Sequence, residues 1–151
     1  MSDLRIRLTL DESGAFACTS APLGETKPVW TYAISPHRAR STDALSRHKT
    51  NWRELYDGEH ARLAPVCDEV LFLNERGEVV EGSRTNVFVV RDGKLATPPL
   101  ASGCLDGVLR RALIEEGRCV EAVLMPGDLQ SAEVYLGNSL RGLVRAQPGS
   151  I

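Results

Sequence analysis

Apolar and polar residues alternate without a break over Leu4-Arg5-Ile6-Arg7-Leu8-Thr9-Leu10, which predicts a strand with one buried face. Asp11-Glu12-Ser13-Gly14 is turn chemistry, and residues 15–19 are expected to return as the hairpin partner. Pro22, Gly24 and Pro28 mark residues 20–28 as a loop. Val29 to Ile34 reads as another strand, and the polar stretch from Ser35 to Ser46 as a surface connection. From Thr50 the spacing becomes helical. Trp52, Leu55, Tyr56 and Leu63 fall near one face until Pro65 stops the run.

Short strands follow. Glu69 to Asn74 is an apolar run closed by Glu75-Arg76-Gly77-Glu78, and Val79-Val80 lead back into Glu81. Asn86 to Val90 forms the next strand, and Arg91-Asp92-Gly93 turns it into Lys94 to Thr97, which Pro98-Pro99 ends. Leu105, Val108, Leu109, Ala112 and Leu113 then repeat at helical spacing, with Gly117 as the stop. Cys119 to Met125 reads as a strand, Pro126-Gly127-Asp128 as a short helical turn, and Glu133 to Leu136 as a strand ending in Gly137-Asn138-Ser139. The pattern gives a mixed α/β domain over residues 1–151, rich in hairpins and carrying two main helices.

Composition narrows the function classes. A length of 151 residues with 42% hydrophobic and 25% charged content is that of one globular domain with a core of its own. A net charge of −2 gives no reason to expect nucleic acid or an anionic membrane as partner. No apolar run reaches the ~20 residues of a spanning helix, and Met-Ser-Asp-Leu-Arg lacks the apolar segment of a signal peptide. Cys18, Cys67, Cys104 and Cys119 are scattered, without a Cys-x-x-Cys pair or a histidine at metal spacing. Disulfides and zinc are therefore not expected, and a reducing cytoplasm is the simplest compartment.

Three features carry candidate chemistry. Lys49, in His48-Lys49-Thr50, sits at the mouth of the first helix among Arg47, His48 and Arg53. An ordinary lysine amine titrates near ~10.4, and neighbouring cations lower that value and make a better nucleophile. An arbitrary lysine is nevertheless most often solvated, and His48 reads as structural, with His37 and His60 on the surface. Glu81 stands at the exit of an apolar run. Alone, it would be a strand-edge carboxylate in water. Gly107-Val108-Leu109 opens a helix whose free N–H groups and dipole suit an anion, and Gly107 permits close approach. Asn138-Ser139 offers a second small polar turn. The joint order of amine, carboxylate, helix opening and polar turn is what singles them out.

Over residues 47–146 the chain resembles the C-terminal, cofactor-binding half of the fold-type IV pyridoxal-phosphate enzymes, the D-amino-acid aminotransferase-like fold with its barrel-like mixed sheet. The resemblance rests on Glu81-Gly-Ser-Arg-Thr-Asn86-Val-Phe88, Leu95-Ala-Thr97-Pro-Pro and Leu105-Asp-Gly107-Val-Leu-Arg110. It implies pyridoxal 5′-phosphate as cofactor, with Lys49 carrying it covalently and Glu81 meeting its pyridine nitrogen. By the same similarity Arg53 lies near the ring's phenolic oxygen and Leu105 against its face. Val108 and Leu109, opened by Gly107, hold the phosphate with Ser139 and Asn138, and Asn86 belongs to the same cofactor-binding set. Asp106 departs from the proline usual there, and its charge should weaken phosphate binding unless the side chain turns to solvent.

Within that family, His48-Lys49-Thr50 with Arg53 and Tyr56, together with Gly137-Asn138-Ser139-Leu140-Arg141-Gly142-Leu143, is most similar to 4-amino-4-deoxychorismate lyases. The resemblance implies release of pyruvate from 4-amino-4-deoxychorismate to leave 4-aminobenzoate, a folate precursor. The alternatives are an aminotransferase of branched-chain or D-amino acids and a half-domain inactive without its partner. Family members carry a small N-terminal domain before the strand equivalent to Leu4–Leu10, and the resemblance implies that residues 1–151 correspond to the C-terminal half alone. Expected partners are therefore a small amino-acid-like substrate and either a second copy of the chain, as a homodimer, or the missing N-terminal domain.

Overall fold

A computed structural model describes residues 3–150. The first two strands, β1 (Leu4–Leu10) and β2 (Phe16–Pro22), form an antiparallel hairpin that is a sheet by itself. The expected buried face is not there. Leu4, Ile6, Leu8, Leu10 and Phe16 are all exposed, between 55% and 68%. The alternation is real, since Leu8 stands opposite Cys18 and Leu10 opposite Phe16 on one side of the ribbon. Among the described residues that side has no second layer, so amphipathicity does not become burial. β2 also runs to Pro22, into the segment expected to be loop.

The remaining strands form one eight-stranded mixed sheet. In chain order they are β3 (Val29–Ala39), β4 (Glu69–Asn74), β5 (Val79–Gly82), β6 (Asn86–Arg91), β7 (Lys94–Thr97), β8 (Cys119–Glu121), β9 (Val134–Asn138) and β10 (Gly142–Pro148). Their order across the sheet is β5-β4-β3-β10-β9-β6-β7-β8. β3 pairs parallel with both β4 and β10, and β7 pairs parallel with β8. The edges curl toward each other, because the Val79 N–H on edge strand β5 donates to Leu124 O, just past edge strand β8 (2.8 Å). This is the expected mixed α/β, barrel-like core.

Among the described residues three helices surround it: α1 (Glu54–Leu63), α2 (Val108–Glu115) and the six-residue α3 (Pro126–Ser131). Two were expected as main helices, and α3 stands where a helical turn was expected. β4 is buried on both faces. Leu71 and Leu73 enter the sheet interior with Val79, Val87, Val89, Leu124 and Leu136, while Val70 and Phe72 face Leu55, Tyr56 and Leu63 of α1. α2 places Leu109 and Leu113 against Phe88 and Leu143.

Several boundaries differ from the sequence pattern, each for a local reason. β3 continues to Ala39, because a register shift between Ile34 and Arg38 lets the polar tail resume pairing at Leu73 and Asn74. α1 starts at Glu54, not Thr50, and Trp52 lies outside it, 77% exposed. The strand expected over residues 119–125 keeps only three ladder residues, and beyond them Ala122 N–H still donates to Thr97 O. β9 begins at Val134 and runs on through Asn138, past the expected end at Leu136. Cys67, Cys104 and Cys119 are buried free thiols, whereas Cys18 is exposed on the hairpin.

Candidate active site

Glu81 lies on β5 opposite Phe72, on the face turned toward α1. Its carboxylate is 7% exposed and accepts the Leu105 N–H at 2.9 Å. Burial pushes its pKa up to about 7, against the pull of that N–H, the Arg53 charge and the facing Tyr56 hydroxyl. Tyr56 is pushed upward, chiefly by burial and then by the Glu81 charge. The Tyr56 ring packs on Phe72 with centroids 4.4 Å apart, and the Arg53 guanidinium stands 5.1 Å above its face. Glu81, Tyr56, Arg53 and Leu105 line one cavity of about 330 Å³, whose rim includes His48, Thr50 and Trp52.

Beside this cavity the second half of the set assembles. Leu105 to Gly107 leads into α2, where Gly107 is the N-cap and no side chain caps the helix. The N–H groups of its first turn therefore have no intrahelical partner. Asn86 Nδ2 donates to Leu105 O at 2.9 Å, and a Cβ on Gly107 would run into Asn86 Oδ1. Asn86 thus holds the turn in shape from below. Gly137 pairs with Asn86 and packs against Leu109, bringing the β9–β10 turn alongside. In that turn Asn138 Oδ1 accepts the N–H groups of Leu140 and Arg141, while Nδ2 donates to Arg84 O. Ser139 is exposed at its tip.

Asp106 is not turned to solvent. Its carboxylate accepts from Arg110 Nη1 (3.0 Å) and from Arg111 Nε and Nη2 (2.9 and 2.7 Å). Two guanidinium groups offset its charge next to the helix opening, which answers the conflict read from the sequence. Arg110 itself is 2% exposed and also bonds Pro98 O and Glu121.

Lys49 behaves differently. Its neighbours His48 and Thr50 line the cavity, but Lys49 is exposed and is not part of the lining. His48 has extended backbone angles, φ −116° and ψ 134°, and in extended chain successive side chains alternate sides. The other lysines lie elsewhere: Lys27 pairs with Asp68, and Lys94 is on the β6–β7 hairpin. The acid and the helix opening converge; the amine stands one residue out of phase at the rim.

Some residues of the site were not read from the sequence. Glu69, taken as the first residue of a strand, is fully buried and accepts hydrogen bonds from the loop after Glu81. His60, expected on the surface, is half-buried. Ser83 gives its one hydroxyl proton to Glu69, so the 3.0 Å contact with His60 Nδ1 makes that nitrogen the donor, and Nε2 faces Arg84. Burial first, then the Arg84 charge, holds His60 below its usual range. The available signal was a glutamate heading an otherwise apolar run.

The sequence profile described as amino-transferase class IV matches residues 4–147. The chain belongs to that family. A Mesorhizobium loti structure assigned as an amino-acid aminotransferase is 43% identical, with a TM-score of 0.91, over 96% of this chain and 72% of its own. An aminodeoxychorismate lyase of Saccharomyces cerevisiae is 32% identical over 130 residues, 80% of this chain and 34% of the relative. A Thermotoga maritima protein assigned as a branched-chain-amino-acid aminotransferase is 47% identical over 55 residues, 36% of this chain and 20% of the relative. This class IV chain thus spans about a third of the yeast lyase's length.

Proposed function

We propose that this class IV chain is the cofactor-binding part of a pyridoxal-phosphate lyase that converts 4-amino-4-deoxychorismate to 4-aminobenzoate and pyruvate. The observation that carries the reading is the bond from Leu105 N–H to the buried Glu81 carboxylate. It ties a carboxylate suited to a protonated ring nitrogen to an uncapped helix opening suited to a phosphate. Their surroundings fit such a group: Arg53 and Tyr56 share the cavity with Glu81, and Gly107 leaves no side chain over the α2 N–H groups.

Pyridoxal phosphate supplies an electron-withdrawing ring to reactions at an amino-acid-like substrate. The chain's own groups do the rest. Glu81 would keep a proton on the ring nitrogen, and the N–H groups of Val108 and Leu109, with Asn138 and Ser139, would hold the phosphate. Arg53 would lie near the ring's phenolic oxygen. Lys49 would be the residue to hold the cofactor and to take the substrate's α-proton, for which its side chain would have to turn in from the rim. The lyase is preferred on the similarity of His48-Lys49-Thr50 with Arg53 and Tyr56, and of residues 137–143, to 4-amino-4-deoxychorismate lyases, and the yeast lyase aligns with 80% of this chain. The Mesorhizobium structure supports the second reading, transamination. The exposed apolar side of the β1–β2 hairpin fits a requirement for a second copy or an N-terminal domain to complete the pocket.

The test titrates the full chain with pyridoxal phosphate, then traps the adduct by borohydride and locates it by mass. Label at Lys49 and its loss in Lys49→Ala are expected. Pyruvate release from 4-amino-4-deoxychorismate without any oxoacid acceptor supports the lyase. Turnover only with 2-oxoglutarate or pyruvate as acceptor replaces it with the aminotransferase, and no labelling overturns both.

A further inference from the structure

We propose that Glu69 is a positioning residue of the site, fixing the Ser83–Arg84 peptide so that its carbonyl holds Arg53 beside Glu81. Glu69 heads β4 and is 0% exposed, yet both carboxylate oxygens are fully used. Oε1 accepts from Val70 N–H (2.9 Å), Ser83 N–H (3.0 Å) and the Ser83 hydroxyl. Oε2 accepts from Arg84 N–H (3.1 Å) and the Thr85 hydroxyl (2.9 Å). All but the first of these donors belong to the loop that joins Glu81 to Asn86. Gly82 completes the fit, because a Cβ there would strike Thr85 Oγ1 and stand 2.9 Å from Glu69 Cδ.

The consequence follows from peptide geometry. Ser83 C=O and Arg84 N–H belong to one planar trans peptide unit and point in opposite directions. Anchoring Arg84 N–H on Glu69 therefore aims Ser83 C=O away from Glu69. The group it meets is the Arg53 guanidinium, whose Nη2 donates to Ser83 O. Arg53 precedes α1, where its guanidinium also lies 5.1 Å from the Tyr56 ring and 3.7 Å from Asp57. The next carbonyl, Arg84 O, receives Asn138 Nδ2 at 3.1 Å. A single buried carboxylate thus sets one loop that holds a member of the site on either side. A neutral amide at this position cannot accept from both sets of donors, since one end of it is itself a donor.

The inference rests in part on the cofactor reading, so its test has two readouts. Parent, Glu69→Gln, Arg53→Gln and the double variant are compared for urea unfolding and for pyridoxal-phosphate affinity, followed by fluorescence of Trp52 at the cavity rim. Each single variant is expected to weaken the cofactor about tenfold, and the double variant no further, because both remove one interaction. Leu129→Ala, a core change on α3, should lower stability and leave the affinity unchanged. A hundredfold loss in the double variant, or an equal loss in Leu129→Ala, overturns the proposal. A parent that binds no cofactor defeats the functional reading alone. The pair is then judged in urea, where a combined loss below the sum supports coupling and a simple sum refutes it. Should Glu69→Gln not fold, Glu69→Asp takes its place in the same cycle.

Discussion

At the residue scale, the contact between Gly107 and Asn86 decides whether the helix opening keeps its shape. Gly107→Ala forces the Asn86 side chain away and breaks its bond to Leu105 O. The expected loss of stability is about 1–3 kcal/mol by thermal unfolding. Adding Asn86→Ala makes room and should restore part of the midpoint, but not cofactor affinity, because the turn has lost its support. Glu81 and Gly107 were legible in the sequence because each sits at a junction between periodic segments, where a side chain's neighbours change abruptly. Glu69 was not, since a period-two pattern reports which way a side chain points and not what meets it there. Lys49 shows the same limit. Its position at the cavity rim could be read, whereas its outward orientation depends on the backbone angles of His48, which no local pattern specifies.

At the scale of elements, the β1–β2 hairpin separates pattern from burial. Replacing Ile6 and Leu8 together by lysine should change the unfolding free energy of this chain by no more than about 0.5–1 kcal/mol, as for exposed positions generally. The same change at Leu71 and Leu73, which are buried in the sheet interior, should abolish folding. Urea melts of the two double variants check both outcomes. Strands with strong alternation or continuous apolar runs, such as β4 and β6, were visible in the sequence together with α2. The tail of β3 was hidden because it follows a register shift, and β8 was overcalled because extended chain can hydrogen-bond without joining a ladder. The β10 ladder to β3 depends on residues far apart in sequence, beyond the reach of any local window.

For the molecule as a whole, opposing carboxylates set the pH dependence of stability. Glu59, Glu75 and Glu78 are held at about 2, chiefly by bonds to Arg62, Ser41 and Arg76 respectively, so what they contribute is present above the ordinary carboxylate range and lost progressively as pH falls from there through about 2. Glu81, raised to about 7 by burial, acts in reverse: its contribution is present below its unfolded pKa and lost as pH rises through 7. Without cofactor, stability should peak near pH 5 and fall by on the order of 2 kcal/mol toward pH 8. Glu81→Gln should flatten that neutral limb and spare the acid one, as urea melts between pH 3 and 8 will show. The side-by-side placement of β3 and β10 reaches further, into biosynthesis. While a ribosome is still making residues 142–148, β3 has one flank open, a template for any passing strand. The seam closes only when residues 142–148 pair with β3, so a variant cut before residue 142 should yield inclusion bodies, not a slightly weakened fold.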